Sequence, residues 1–459
     1  MHLFAPDDPR PIHFMGIAGA GMSALALVAL RRGVAVSGCD VHSEAADELR
    51  RHGAKVLAGH DPSHVSDSRA LVYTAAVAAD HPEVAAARAA GLPVMTRAHA
   101  LSAVVEGGRV IGVAGTHGKT TTTAMVTEAL TAAGRNPTAL VGGRVNAWEG
   151  NVRFGGDALF VVEADEYDRS FLELAPAVAL VNNVEADHLE CYGSLEALEE
   201  AFIRFAGRAE RVLVGADDGG AKRVGDALTV PVWTVGLAKD ADLRLTDVVR
   251  EPKRNAAALT LPDGNTVRLE LRVPGLHNLR NAAMAVGAAL AIGADVDAAV
   301  DGLSGFAGVG RRFELLGTAR GVTIVDDYAH HPSEVAATLG AMRQRYPDAR
   351  LVAVFQPHLF SRTRDLGQAM GIALAMADRA VVTEIYPARE RPIPGVTGEV
   401  VAEAARMAGA VVEWVPIRGD VTHRVAALVA DGDVVVTLGA GDITDVGREL
   451  MRQLSGAAA

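Results

Sequence analysis

The chain has 459 residues, too many for one ordinary hydrophobic core, and 49% of them are hydrophobic. The formal net charge of −12 argues against a dedicated nucleic-acid-binding protein, because such proteins carry an excess of basic residues. We therefore predict two or three globular domains and no nucleic-acid partner. The only cysteines, Cys39 and Cys191, lie far apart without metal-ligand spacing, which fits a reducing compartment.

The sequence also predicts no membrane partner. No run of 18 apolar residues occurs, and the N-terminal MHLFAPDDPRP lacks the basic and then apolar segments of a signal peptide. We expect a cytoplasmic protein that is a monomer or a homodimer.

Strand-like and helical segments alternate from the start of the chain. The helix SALALVALRRG follows the first strand and a GAGM turn, and the polar EGGR ends this first part. The strand candidates are, in order, PIHFMGI, VAVSGCD, KVLAGHD, ALVYTAAV and LPVMT. This alternation predicts a parallel sheet with helices on both faces.

Two further parts follow the same pattern. The second has strand candidates at RVIGVAG, ALFVVEAD, AVALVNNV, RVLVGAD and VWTVG, then a β-rich patch and the helix NLRNAAMAVGAALAIG. After GVGRRFELLG the third part has candidates at VTIVDDYA, RLVAVFQP, ADRAVVTEI, AVVEWVP and DVVVTLGAGD. We predict an α/β protein of three domains, at residues 1–106, 107–312 and 313–459.

The stretch GTHGKT follows the first strand of the second part and precedes a helix. A strict phosphate-binding loop would have a glycine at the position of Val113, so the pattern is incomplete. Gly115 and Gly118 still allow backbone N–H groups to turn toward an anion at a helix N-terminus. Lys119 can reach outer phosphates, and the Thr120 hydroxyl can ligate Mg²⁺. A glycine turn with an exposed lysine is the alternative.

The first strand–helix turn carries a second glycine motif. Gly16, Gly19 and Gly21 have the spacing G-x-x-G-x-G rather than the dinucleotide pattern, and Asp40 ends the next strand. The motif indicates a bound nucleotide diphosphate, or only a tight turn.

Acidic residues follow two strands of the second part. Glu163, Asp165, Glu166 and Asp168 follow one, and Asp187 with His188 follows the next. Ligands of open α/β sheets bind at these strand ends, and Mg²⁺ prefers oxygen ligands shared with phosphates. Acids favoured by a helix N-terminus are the alternative.

Further polar residues lie at segment ends. Asn278 and Asn281 stand at the start of a helix, where capping would explain one of them. The third part has paired His and Arg after apolar strands, suited to carboxylates and phosphates. These residues are Arg311, Arg312, Asp326, Asp327, Tyr328, His330, His331, His358, Arg362 and Arg364.

Taken together, these motifs resemble those of the Mur ligases, the ATP-dependent amino-acid-adding enzymes of peptidoglycan synthesis. The resemblance runs along the whole chain, through GIAGAGMSALA, AGTHGKTTT, EADEYDRSF, NNVEADHLECY, HNLRNA, GRRFE, VDDYAHHPSEV, QPHLFSRTRDL and YPARERPIPG. It implies a Rossmann-like N-terminal UDP-binding domain, a central P-loop ATPase domain and a Rossmann-like C-terminal domain.

The resemblance also implies roles for single residues. ATP would be held by Gly115, Thr116, His117, Gly118, Lys119, Thr120, Thr121, Asn278, Arg312 and Asp327, and Mg²⁺ by Thr120, Glu163 and His188. The UDP-sugar and the amino acid would be bound by Gly19, Ala20, Gly21, Met22, Ser23, Tyr328, His330 and Arg362. The catalytic residues would be Lys119, Glu163, His188 and His330.

The expected reaction joins L-alanine to the lactyl carboxylate of UDP-N-acetylmuramate through an acyl phosphate, with ATP and Mg²⁺. A tripeptide-recycling ligase acting on the same UDP-sugar is the nearest alternative. Tyr167 replaces a common serine, and Leu359 replaces an arginine of many relatives. An NAD-dependent oxidoreductase and a nucleotide switch are more distant alternatives.

Overall fold

The computed structural model describes residues 3–74, 77–148, 150–388 and 390–456. It contains three mainly parallel sheets, as the alternating segments predict. The chain divides into two compact units, of which the first comprises Met1–Thr246, Ala258–Leu269 and Arg280–Leu303 and the second comprises the remainder. In the described ranges, no helix is long and apolar enough to cross a membrane.

The first sheet has five parallel strands in the order β3-β2-β1-β4-β5. The strands are β1 (Ile12–Met15), β2 (Val36–Asp40), β3 (Lys55–Ala58), β4 (Ala70–Tyr73) and β5 (Val94–Thr96). The helices are α1 (Ala20–Arg31), α2 (Asp47–Arg51), α3 (Pro82–Ala89) and α4 (Arg97–Val105), with 3₁₀ helices at Ser43–Ala46 and Pro62–Val65. Helix α1 begins three residues before the predicted SALALVALRRG, so Ala20–Met22 form its first turn rather than a separate turn.

The second sheet contains the phosphate-loop strand. Its strands include β6 (Arg109–Ala114), β7 (Pro137–Leu140), β8 (Val152–Arg153), β9 (Gly156–Glu163), β10 (Val178–Val181), β11 (Arg211–Gly215) and β12 (Val232–Gly236). Their order is β12-β11-β10-β6-β9-β7-β8, and only β8 is antiparallel to its neighbour. Strand β6 therefore lies between the two strands that the acidic motifs follow.

The helices around this sheet are α5 (Lys119–Ala132), α6 (Leu189–Tyr192), α7 (Leu195–Ala206) and α8 (Gly219–Asp226), with a 3₁₀ segment at Tyr167–Glu173. Phe171, Phe202 and Phe205 pack together beneath the sheet, with ring centroids 5.0 and 5.1 Å apart, and are fully buried. Both units contribute residues to β13 (Leu243–Glu251), β14 (Arg254–Thr260), β15 (Thr266–Leu271), α9 (Leu276–Ala291) and α10 (Val296–Ser304).

The third sheet lies in the second unit and has the order β16-β17-β21-β18-β19-β20. The strands are β16 (Glu314–Ala319), β17 (Val322–Asp327), β18 (Leu351–Phe355), β19 (Arg379–Val382), β20 (Val412–Trp414) and β21 (Val434–Leu438). The helices are α11 (Pro332–Arg345), α12 (Phe360–Leu374), α13 (Glu399–Met407), α14 (Arg418–Leu428) and α15 (Ile443–Ser455). Strand β16, which the sequence did not predict, pairs antiparallel with β17.

Candidate active site

The phosphate loop connects the end of β6 to the start of α5, as the GTHGKT motif predicts. Gly115 and Gly118 have φ of +133° and +78°, backbone conformations that favour glycine. The first helical N–H···O bond runs from Thr122 to the Gly118 carbonyl at 2.8 Å, so the preceding amides form the donor-rich N-terminus of α5. This geometry suits an anion.

Two consecutive asparagines after β10 hold the loop in place. The amide of Thr116 donates to the carbonyl of Asn183 at 3.0 Å, and the amide of His117 donates to Asn183 Oδ1 at 2.7 Å. Asn182 Nδ2 donates to the His117 carbonyl at 3.2 Å and to Thr122 Oγ1 at 3.0 Å. These two asparagines therefore fix the loop conformation. Sequence reasoning assigned them no role of their own beyond membership of the motif NNVEADHLECY.

Lys119 is buried against an acidic partner. Its Nζ lies 2.8 Å from Glu166 Oε2 and donates to the carbonyl of Gly115 at 2.8 Å. Burial opposes the charge of this ammonium, but the carboxylates of Glu166 and Asp165 outweigh it and raise the pKa of Lys119. The lysine is therefore charged at neutral pH. Burial also raises the pKa of Glu166, against the opposing effect of Lys119.

Thr120 and Glu163 form an oxygen-rich pair beside the loop. Thr120 Oγ1 donates to Glu163 Oε1 at 2.9 Å, and the amide of Gly142 donates to Glu163 Oε2 at 2.6 Å. Burial raises the pKa of Glu163, although the Gly142 amide and Lys119 oppose this effect. A cation at this carboxylate would offset the burial cost, and hydroxyl and carboxylate oxygens are ligands that Mg²⁺ accepts.

His188 lies after β10, at the start of α6, in a left-handed conformation with φ of +54°. Its described contacts are with Glu190, at 3.4 Å from Nδ1, with Asp187, at 3.8 Å from Nε2, and with the ring edge of Tyr167. The structure thus joins Thr120 and Glu163, two of the three predicted metal ligands, and places His188 beside Asp187, Glu190 and Tyr167.

The glycine motif of the first domain begins α1. Gly19 is the N-cap residue, and the amides of Met22 and Ser23 bond to its carbonyl at 3.0 and 2.8 Å. Asp40 accepts from the amide of Ala18 at 3.0 Å and fastens the turn to the end of β2. Asn151, which sequence reasoning missed, donates from Nδ2 to the Ala20 carbonyl and, at 3.3 Å, to Ser23 Oγ.

A basic cavity of about 500 Å³ lies within the same unit. Arg97 lines it beside Gly21 and donates to Ser170 Oγ at 3.4 Å. Arg204 and Arg208 also line the cavity. No sequence pattern singled out these arginines, because Arg97 and Arg204 lie in ordinary helices and Arg208 lies in the turn after α7.

In the second unit, Asp327 ends β17 and is buried. It accepts from the amides of Phe313 and Ala329 at 2.8 and 2.9 Å. Burial raises its pKa to about 6, although Arg312 and these amides oppose the shift. Arg312 donates to Glu334 at 3.2 Å, and its guanidinium lies 5.1 Å from the centre of the Tyr328 ring.

His330 lies in a cluster of rings. Its Nδ1 lies 2.9 Å from the Tyr328 carbonyl, which can only accept, so Nδ1 carries a proton. In the neutral ring, Nε2 is then the basic atom. The ring meets those of Tyr328 and His358 edge-on, and Arg362 Nη1 lies 3.3 Å from His358 Nδ1. The structure thus brings Tyr328, His330 and Arg362 together.

Asn278 is the third residue of α9 and Asn281 the sixth, so neither caps the helix. Asn278 Nδ2 donates instead to the carbonyl of Pro274 at 2.7 Å and is buried. In the motif YPARERPIPG, Arg389 lies outside the described residues.

Family models match the chain in three consecutive segments. The model of the Mur ligase family, catalytic domain, matches residues 11–109. The Mur ligase middle domain matches residues 113–289, and the Mur ligase, glutamate ligase domain, matches residues 311–441.

Full-length relatives agree with these matches. The UDP-N-acetylmuramate–L-alanine ligase of Clavibacter michiganensis is 46% identical over 95% of this chain and 92% of its own. The enzyme of the same name from Streptomyces coelicolor is 45% identical over 97% and 98%.

Solved structures extend the likeness to the fold. The UDP-N-acetylmuramate–alanine ligase MurC of Thermotoga maritima has a TM-score of 0.84 and 29% identity, covering 98% of this chain and 100% of that one. A murein peptide ligase of Psychrobacter arcticus has a TM-score of 0.74 and 25% identity, with the same coverage. With relatives above 40% identity along nearly its whole length, the chain belongs to the Mur ligase family.

Proposed function

We propose that this protein ligates L-alanine to the lactyl carboxylate of UDP-N-acetylmuramate, with conversion of ATP to ADP and phosphate. The observation that carries the proposal is the 46% identity, over 95% of the chain, to a ligase of that name. The phosphate loop and the acids at neighbouring strand ends supply the groups that such a reaction needs.

The three domains divide the substrates among them. Residues 1–106 would hold the UDP-sugar, residues 107–312 ATP, and residues 313–459 the amino acid. Residues 19–23, from Gly19 to Ser23, offer the N-terminus of α1 to the diphosphate. Loop residues 115–121 offer the N-terminus of α5 to the ATP phosphates.

The Thr120 hydroxyl and the Glu163 carboxylate suit Mg²⁺, because both are oxygen ligands. Burial of the Glu163 carboxylate without a cation costs free energy, which a bound Mg²⁺ would offset. His188 would complete this set of ligands. The bound cation would neutralise phosphate charge during transfer.

The first step is attack of the lactyl carboxylate on the γ-phosphate, which brings two anions together. Lys119 and the amides at the start of α5 would stabilise the charge that develops on the phosphoryl oxygens. Glu166 would keep Lys119 protonated and oriented, since it already lies 2.8 Å from Nζ.

The second step is attack of the alanine amine on the acyl phosphate, with loss of phosphate. Nε2 of His330 would accept the amine proton, because Nδ1 is held protonated by the Tyr328 carbonyl. Arg362 would bind the carboxylate of the amino acid, and Asp327 with Arg312 would contact ATP.

Phosphate release with UDP-N-acetylmuramate is the test, measured with L-alanine, L-serine, glycine and the tripeptide acceptor. We expect release that requires both the UDP-sugar and L-alanine and that is lost in Lys119→Met. Lys222→Met is the matched control, because this half-exposed lysine lies on α8 and pairs with Asp240 at 3.6 Å. A preference for the tripeptide would instead favour a recycling ligase, a function that the likeness to the Psychrobacter arcticus enzyme keeps as the alternative.

A further inference from the structure

Four metal-ligating side chains meet inside the first domain, away from the phosphate loop. They are His13 on β1, Cys39 on β2, His64 in the 3₁₀ helix Pro62–Val65 and Glu83 on α3. One ligand atom from each lies within 4.8 Å of the other three. His13, Cys39 and Glu83 are completely buried, and the His64 side chain is 15% exposed.

The distances between these atoms resemble those of a tetrahedral site. His13 Nε2 lies 3.4 Å from Cys39 Sγ and 2.9 Å from Glu83 Oε1. Sγ lies 3.2 Å from the same oxygen, and His64 Nδ1 lies 3.8 Å from it. Bond lengths near 2.0–2.3 Å in a tetrahedron separate ligand atoms by roughly 3.3–3.6 Å, so small side-chain shifts would suffice.

The surroundings orient the ligand atoms. His13 Nδ1 is hydrogen-bonded to Ser37 Oγ at 2.9 Å, which directs Nε2 toward the cluster in the manner of an outer-sphere partner. Among the described residues, buried His64 Nδ1 has no hydrogen-bond partner, although it faces the cluster. His60 Nδ1 lies 3.1 Å from Sγ and would remain an outer partner.

We propose that His13, Cys39, His64 and Glu83 form a structural site for a divalent cation of the Zn²⁺ class. One thiolate, one carboxylate and two neutral imidazoles balance the charge of such an ion, so the filled site is neutral in its buried position. Binding releases the thiol proton of Cys39 to solvent, and no redox step occurs.

The site would fasten two peripheral elements to the sheet. The 3₁₀ helix and α3 contribute one ligand each, and both would be joined through the ion to β1 and β2. The backbone carbonyl of Cys39 also accepts from the amide of Gly16 at 2.8 Å. Metal binding would therefore stabilise the strand end from which the first glycine loop starts.

The test uses the full chain, stripped of metal with a chelator and titrated with Co²⁺ and then Zn²⁺. We expect one equivalent of Co²⁺ to produce a thiolate-to-cobalt charge-transfer band that Zn²⁺ abolishes. Cys39→Ser should lose the band, whereas the matched Cys191→Ser should keep it, because Cys191 is the only other cysteine. The melting temperature of the wild type should rise with Zn²⁺.

A milder substitution covers the case in which Cys39→Ser does not fold. Ser37→Ala leaves all four ligands in place and should weaken Co²⁺ affinity about tenfold, as the loss of an outer-sphere hydrogen bond does. Absence of the band in folded wild-type protein would overturn the proposal. So would a band that survives in Cys39→Ser or disappears in Cys191→Ser.

Discussion

A single methyl group at Gly118 tests how the phosphate loop is held. Gly118 has φ of +78°, and a β-carbon there would lie 2.9 Å from Asn281 Oδ1 and 3.2 Å from Asn182 Nδ2. Gly134, just beyond the other end of α5, has φ of +74°, but a β-carbon there meets no described atom within 4 Å. Gly118→Ala and Gly134→Ala therefore cause similar backbone strain, but only the methyl group of Gly118→Ala contacts neighbouring side chains that the structure describes.

The strain of a left-handed alanine is about 1–2 kcal/mol in both variants. In Gly118→Ala the Asn281 amide must also shift and the Asn182 amide must give way slightly, which weakens two hydrogen bonds of Asn182 that contribute about 0.5–1.5 kcal/mol each. We therefore expect Gly118→Ala to destabilise the central domain by about 1–3 kcal/mol more than Gly134→Ala does. Calorimetric melting curves measure this difference.

The loop contacts also predict a functional difference. Displacement of Asn182 moves the His117 carbonyl and the adjacent amides, so Gly118→Ala should weaken ATP binding tenfold or more, about 1.4 kcal/mol. Gly134→Ala should bind ATP like the wild type in isothermal titration. Equal melting temperatures and equal ATP affinities for the two variants would refute this account of the loop.

Two further predictions concern the proposed reaction, and a third concerns the pH dependence of stability. Thr120→Val should reduce phosphate release about 100-fold or more, whereas Thr131→Val, which removes a hydroxyl that donates to the Thr127 carbonyl within α5, should keep it. Similar rates for the two variants would exclude Thr120 as a metal ligand. His330→Ala should lower kcat with L-alanine about 100-fold or more without changing ATP affinity, and normal kcat and alanine KM would contradict the proton-accepting role. Because burial raises the pKa of Asp327 to about 6, the folded state retains a proton that the unfolded state loses, and this group lowers stability as pH rises from about 4 to 6. Asp327→Asn should remove that part of the pH dependence of the melting temperature, and an unchanged dependence would disprove the raised pKa.

The alternation of apolar strands and helices predicted the α/β fold, because parallel strands buried on both faces are continuous apolar runs. Strand β16 was missed because its polar edge position gives ELLGTA no such run. Helix α1 starts at Ala20 because Gly19 serves as the N-cap, although GAGM looks like a turn.

In the candidate site, the sequence could predict those residues that lie at or next to strand ends. Lys119 and Thr120 follow β6 across the loop, and Glu163 ends the neighbouring strand β9, so their proximity follows from the sheet. Asn151 donates a hydrogen bond to Ala20, which is 131 residues away in the sequence, and no local sequence pattern predicts such a contact. Cys39 lacked metal-ligand spacing for the same reason, since its neighbours come from β1, a 3₁₀ helix and α3.

The pairing of Lys119 with Glu166 has a consequence for the enzyme between turnovers. Because Glu166 already neutralises the charge of the Lys119 ammonium, no chloride or free phosphate is needed to neutralise it when the loop holds no nucleotide. In the proposed reaction, ATP would share Lys119 with Glu166, so its affinity would include the cost of weakening this ion pair. The empty loop should therefore discriminate against simple anions, and inorganic phosphate released by the reaction should leave without acting as a strong inhibitor.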